Sequence, residues 1–332
     1  MSDNGCRTLI VDTRPIGCDD AGMAHGTHEY DIDPRNANII IGINDELFPR
    51  EKAVVSVFDS GFMLGDGVWE GIRVHGGKLA FLDDHLRRLY EGAAGLDMDI
   101  GRTPAELTAL IQTTLDANDM GDAEGVHIRL MVTRGVKSTP YQDPRFTISP
   151  ATIVIIPEYK TARPETLTNG VRLYTVSTRR GRPDVQDPKW NSHSKLNCIS
   201  ACIQATHAGA DEGLMLDPQG FVATCNSTHF FIVRHPDGPD GTPEVWTSTG
   251  DYCMPGITRR NVLRLCGQHG VTWREKNFSV TECYGATEAF VTGTFAGIAP
   301  VTEIDGRTIG TGERGPMVEQ LQSWYVDMLD AI

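Results

Sequence analysis

The sequence predicts an α/β (α+β) chain of two lobes, and three observations lead there. Its 332 residues suffice for two domains of ordinary size, each with its own core. Strand-like and helix-like segments follow one another without strict βαβ alternation. The polar stretch EYKTARPETLTNG interrupts them and reads as a lobe-to-lobe connection, with a crevice expected between the lobes. The expected limits are an extension over 1–36, a smaller N-terminal domain over 37–158, a connection over 159–165 and a larger C-terminal domain over 166–332.

Residues 1–36 are rich in Asp, Gly, His and Asn and lack periodicity, so they read as a mobile arm or a loosely docked extension. His25 and His28 read as polar tail, since no further metal ligands stand beside them. Order begins near Ala37: NIIIGINDELFP predicts a strand, a turn and a strand, and AVVSVF a third strand. From Phe58 to Arg73, FDSGFMLGDGVWEGIR places Gly61, Gly65, Gly67 and Gly71 where tight backbone geometry is wanted. A dinucleotide-binding loop is disfavoured, because the third glycine of GDGVWEG falls one position late for GxGxxG. DDHLRRLYEGAAGL sets Leu86, Leu89, Tyr90 and Ala93 on one helical face. Thr103-Pro104-Ala105-Glu106 is a capping box ahead of a helix built on Leu107, Leu110, Ile111 and Leu115. HIRLMVTR and ATIVIIP read as strands that complete the first lobe. The second lobe opens with VRLYTVS and continues with a helix within Leu196 to Ala208, strands at GLMLD and HFFIV, and a helix starting at Thr258. A strand at EAFVTG and a helix with Leu321, Trp324, Tyr325 and Met328 on one face close the chain.

Apolar residues make up 40% and charged residues 22%, and no apolar run approaches the length of a membrane span, so a soluble globular protein is expected. Thirty basic against 44 acidic residues give a net charge of −14, which argues against a nucleic-acid partner. Eight cysteines without a CxxC pair read as free thiols of a reducing cytoplasm, with Cys198 and Cys202 as helix packing. No basic stretch followed by an apolar one marks a signal peptide at the N-terminus.

Three places are candidates for holding a phosphate. Arg73 ends the glycine-rich segment, Ile257 and Thr258 open a helix, and Gly293-Thr294 follows the strand EAFV. A helix N-terminus offers unpaired N–H groups and the positive end of a dipole, with Thr258 as a plain N-cap the alternative. The ordered motifs FDSGFMLGDGVWEGIR, FLDDHLRRL, VHIRLMVTRG, GADEGLMLD, MPGITRRNV and EAFVTGTFAGIAPVTEIDGR closely resemble the class IV (fold type IV) aminotransferases. These are pyridoxal 5′-phosphate enzymes that include branched-chain and D-amino acid aminotransferases, (R)-amine transaminases and aminodeoxychorismate lyase. The resemblance runs from about Asn38 to Asp305. It implies that Arg73, Ile257, Thr258, Gly293 and Thr294 hold the cofactor phosphate, that Arg129 binds a substrate carboxylate or else is a structural ion-pair partner, and that the protein is a homodimer.

Two positions depart from the family pattern. The column of the Schiff-base lysine falls on Asn191, so the tether passes to Lys195 or, second, to Lys189, with His193 nearby to orient or exchange protons. Thr224 stands where the family has the glutamate that pairs with the pyridine nitrogen, and a hydroxyl supports charge on the ring less well than a carboxylate. The expected function is amino transfer between a small amino acid (branched-chain-like or D-) or amine and a 2-oxo acid. A lyase or racemase on the same scaffold, or a non-catalytic cofactor-binding homologue, stands as the alternative.

Overall fold

The structure is a computed structural model that describes residues 26–28, 30–238 and 241–332. Its strands are β1 (Ile40–Ile43), β2 (Glu46–Pro49), β3 (Gly67–His75), β4 (Lys78–Leu79), β5 (Val126–Thr133), β6 (Thr152–Tyr159), β7 (Val171–Thr175), β8 (Glu212–Leu216), β9 (Val222–Cys225), β10 (His229–Arg234), β11 (Glu244–Thr247), β12 (Thr272–Glu275), β13 (Glu288–Gly293), β14 (Gly297–Ile304) and β15 (Arg307–Thr308). The helices are α1 (Ser60–Leu64), α2 (Leu82–Gly95), α3 (Pro104–Asp116), α4 (Pro164–Asn169), α5 (Leu196–His207), α6 (Ile257–Gln268), α7 (Val280–Tyr284) and α8 (Pro316–Asp330). The strands form a six-stranded sheet in the order β2-β1-β6-β5-β3-β4, and a nine-stranded sheet in the order β12-β11-β10-β13-β14-β7-β8-β9, with β15 on β14.

The first sheet is antiparallel and buries one face only, as its alternating sequence requires. In β5, Val126, Ile128, Leu130 and Val132 are fully buried in the core shared with Leu86 and Leu89 of α2 and Leu107, Ile111 and Leu115 of α3. The intervening His127 and Arg129 therefore take the opposite face. In β3, Val68, Ile72 and Val74 belong to the same core, leaving Trp69, Gly71 and Arg73 beside His127 and Arg129. The centre of the second sheet is covered on both faces. Phe230, Ile232 and Val291 belong to one core while Phe231, Phe290 and Val233 belong to another, with Phe231 and Phe290 stacked at 4.7 Å. Among the described residues no helix is long and apolar enough to cross a membrane.

Several expectations need correction. Residues 53–57 form no strand, and Val54 is 76% exposed. A β-branched run needs a neighbour to pair with, and β1 is already flanked by β2 and β6. The stretch after β6 is not plain connection either. β6 runs on to Tyr159, and Pro164 at a first helical position starts α4. Helix α6 begins one residue early, with Gly256 as its N-cap, so Thr258 sits inside the first turn and does not cap it. Most of the predicted extension, including His25, lies outside the described residues, but its end is docked: the buried Thr27 hydroxyl donates to the Glu212 carboxylate, and His28 stacks on Phe295. Cys202 is exposed and Cys198 partly so, which sets this pair outside the core.

Candidate active site

Between the open face of the first sheet and the ends of β10, β13 and α6 lies a cavity of about 690 Å³, including the solvent at its mouth. Each wall follows from the fold. The first sheet contributes Trp69, Gly71, His127 and Arg129, and the second lobe contributes Gly256, Ile257 and Thr258 together with Thr292, Gly293 and Thr294 from the end of β13. Asn191 lies at the base of the approach to α5.

The start of α6 is the candidate anion cradle. Its N-cap Gly256 supplies no side-chain bond, so the N–H groups of the first turn are left for another acceptor. Thr292 Oγ1 and Asn261 Nδ2 are buried and have no hydrogen-bond partner among the described residues. Of the two, Thr292 lines the cavity, where an anion would give its hydroxyl the partner that burial otherwise denies it. Gly256 is needed because a Cβ at this position would run into the His229 ring, which is anchored to the Met254 carbonyl at 2.7 Å. Burial lowers His229 to about 3, so its ring is neutral. Gly256→Ala is expected to displace the imidazole or the start of α6 and to weaken binding of pyridoxal phosphate about tenfold. Absorbance titration measures this, and unchanged affinity would show that the cradle lies elsewhere.

Of the two candidate tethers, neither lines the cavity, and only Lys195 is bonded to a residue that does. Lys189 is exposed, and no strand runs through residues 187–195 to align it with the site. Lys195 stands at the start of α5 and donates from Nζ to Asn191 Oδ1 at 3.1 Å. Asn191 is itself fixed, because its Nδ2 donates to the Trp69 carbonyl and its own carbonyl accepts from the Trp69 N–H at 2.9 Å. Burial lowers the Lys195 amine to about 8, with Arg180, Arg129 and Arg88 acting in the same direction against Cys198. A partly neutral amine near a cavity wall is a competent nucleophile. His193 is turned away from such a role: Nε2 bonds to the Val68 carbonyl at 3.1 Å.

Arg129 lies over the Trp69 ring at 3.7 Å and lines the cavity. Arg73 does not line this cavity but an adjoining one. The arginine beside the candidate cradle is Arg88 of α2. It is held by Glu70, with Nε–Oε1 at 2.8 Å and Nη2–Oε2 at 2.6 Å, and donates to the Pro255 carbonyl just before α6. Its signal was a pair of ionisable residues one turn apart, His85 and Arg88, each immediately before a core position, Leu86 and Leu89. Thr224 is buried in β9, donates to the Thr228 carbonyl at 2.8 Å and does not line the cavity. No Asp or Glu is among the residues lining it.

A family model described as amino-transferase class IV matches residues 67–304. The chain belongs to the class IV aminotransferases. A class IV relative from Arabidopsis thaliana, branched-chain-amino-acid aminotransferase-like protein 2, is 39% identical over 90% of this chain and 51% of its own length, so the chain spans about half of that curated relative. A putative branched-chain-amino-acid aminotransferase of Methanocaldococcus jannaschii is 39% identical over 87% of this chain and 96% of its own. The T.th. branched-chain amino acid aminotransferase, solved with N-(5′-phosphopyridoxyl)-L-glutamate, superimposes with a TM-score of 0.78 at 29% identity, covering 88% of this chain and 94% of that one. Its two-sheet fold is the one described above.

Proposed function

We propose that the protein is a pyridoxal-phosphate-dependent aminotransferase exchanging an amino group between a small amino acid, branched-chain-like or D-, or an amine, and a 2-oxo acid. The partly neutral Lys195 amine, hydrogen-bonded to Asn191 of the cavity wall, is the observation that carries this reading. The cofactor, when bound, supplies an aldehyde that combines with amines and a ring that accepts the electron pair left at the substrate α-carbon. Ile257, Thr258, Gly293 and Thr294 hold its phosphate, with Arg88 beside them and Arg73 further along the sheet. Lys195 would hold the cofactor and, as a partly neutral amine, would take a proton from and return it to the substrate α-carbon. Arg129 binds a substrate carboxylate. No Asp or Glu lines the cavity, so the pyridine nitrogen would have no carboxylate partner there, which predicts a slower exchange than an acid would support.

The same reading includes a homodimer in a cytoplasmic setting. Val54, Val57 and Phe62 are exposed apolar side chains, and so are Leu196, Ile199 and Ile203 along one stripe of α5. Gly65 packs on Ser194, joining the two patches into one face suited to a second copy. The described cysteines are free thiols, in keeping with a reducing compartment.

Purified protein incubated with pyridoxal phosphate is expected to show an absorbance band at about 400 nm and keto-acid-dependent consumption of an amino donor. Absence of the band after incubation would defeat the reading. Light scattering of the same sample returning the mass of one chain would defeat the dimer.

A further inference from the structure

The chain before β1 reaches from the first lobe to the second, and on the way it supplies a wall of the cavity. Over residues 30–36 it runs beside the end of β6 and the turn that follows. Tyr30 bridges Ala162, Asp31 meets Arg163 at 3.0 Å, and the Asn36 amide pairs in both directions with the Tyr159 backbone at 2.8 Å. At Thr27 it arrives at the second lobe, where the buried hydroxyl donates to Glu212 at the start of β8. Glu212 is 2% exposed and takes a second hydroxyl, that of Thr228, at 2.7 Å. A buried carboxylate served by hydroxyls loses much when one is withdrawn, so this contact clasps the segment. The Thr27 hydroxyl has one proton, given to Glu212, and therefore accepts from His28 Nδ1 at 3.1 Å. That bond fixes the imidazole, which stacks on Phe295 at 5.9 Å and 23°. Tyr30 and His127 meet the same Phe295 ring edge-on, at 6.5 Å and 5.7 Å. His28 keeps open surface, and it lines the cavity. Enclosure by the surrounding protein, and then the charges of Lys160 and Arg129, push His28 down to about 4, so its ring is neutral at pH 7.

We propose that His28, carried in by this segment, is a specificity-determining residue that ends the substrate compartment and so limits the length of side chain that amino donors and 2-oxo acids can bring. The proposal rests on the aminotransferase reading and deepens it. With a cofactor phosphate at the start of α6 and the end of β13, the space left to a substrate is bounded by His28, His127, Lys160 and Phe295. An aryl side chain there has to unstack His28 from Phe295 and pull its Nδ1 from Thr27. A short aliphatic one fits against a neutral ring and strips water from no charge on it. The wall thus selects by penalty. Thr27 and Glu212 are positioning residues that act through the imidazole.

Two measurements test it. On full-length protein loaded with pyridoxal phosphate, the kcat/KM for phenylalanine divided by that for alanine, in the hand the enzyme uses, is expected to rise about tenfold or more in His28→Ala. His28→Phe, which keeps a flat ring against Phe295, is expected to hold that ratio within about threefold of the wild type. Thr27→Val keeps the bulk but removes the hydroxyl that holds the ring, and is expected to move the ratio in the direction of His28→Ala. A ratio unmoved in His28→Ala, or raised as much in His28→Phe, overturns the proposal while leaving amino transfer intact. Without turnover, the rise in melting temperature given by 3-phenylpropanoate relative to propanoate is expected to be larger in His28→Ala than in the wild type. No difference between the two proteins overturns the wall even for a preparation that takes up no cofactor, an outcome that separately ends the aminotransferase reading.

Discussion

Lys195→Ala is expected to abolish borohydride-trapped pyridoxyl label and to cut the rate of amino transfer by about 10³-fold, the scale on which a positioned acid–base and nucleophilic group acts. Lys189→Ala is expected to leave the rate within about twofold, as for an exposed side chain away from the chemistry. Peptide mapping of the reduced protein decides between them, and label on Lys189 would sink the assignment. The pH dependence follows from the amine's lowered value of about 8. Below that pH the neutral fraction falls about tenfold per unit, so attachment of the cofactor should quicken with rising pH and level off above about 8. Linkage has the same origin. Between about 8 and the ordinary lysine value the unfolded chain binds the extra proton, so this group's unfavourable contribution shrinks as pH rises through that window.

Glu70→Ala is expected to destabilise the fold by about 3–5 kcal/mol, because it strands the buried Arg88 guanidinium and removes the partner of His85. Glu70 is fully buried, Arg88 is 7% exposed, and His85 Nδ1 lies 2.7 Å from Glu70 Oε2. Burial alone would raise the Glu70 carboxyl, but the attraction and hydrogen bonds of Arg88, with those of His85, outweigh it and hold the group below its ordinary value. A depressed carboxylate contributes stability above the unfolded pKa and loses it as pH falls through the folded one. The wild type should therefore lose this part of its stability on acidification below about 4.5, and Glu70→Ala should show a flatter acid limb. Urea unfolding at pH 7 and pH 4 measures both. A loss under about 1 kcal/mol at pH 7 would mean that Arg88 finds another partner.

How far the sequence disclosed this site depended on which contacts were local. The capping box at Thr103 and Glu106 forms as read, since both partners lie within one turn. The strand at HIRLMVTR forms as read, and its period of two puts Arg129 on the face away from the core. Ile257, Thr258, Gly293 and Thr294 each stand at an element end that the local pattern marks, and all four line the cavity. Arg88 was not legible: its role is set by Glu70, 18 positions earlier, and by the Pro255 carbonyl, 167 away. The same holds for Lys160, placed by sequence in a connection but brought to the cavity by the extra reach of β6. The strand expected at AVVSVF failed for the complementary reason, since propensity there is strong and no neighbour answers it.

One indole carries the heart of this arrangement. The Trp69 ring has the guanidinium of Arg129 on it at 3.7 Å and the Lys195 ammonium nitrogen at 5.3 Å, and its backbone bolts Asn191 in place. It is thus a built-in fluorophore lining the cavity, one whose emission pyridoxal phosphate bound there, as proposed, would quench by energy transfer. Occupancy of the site is written into the protein's own light, with no dye attached.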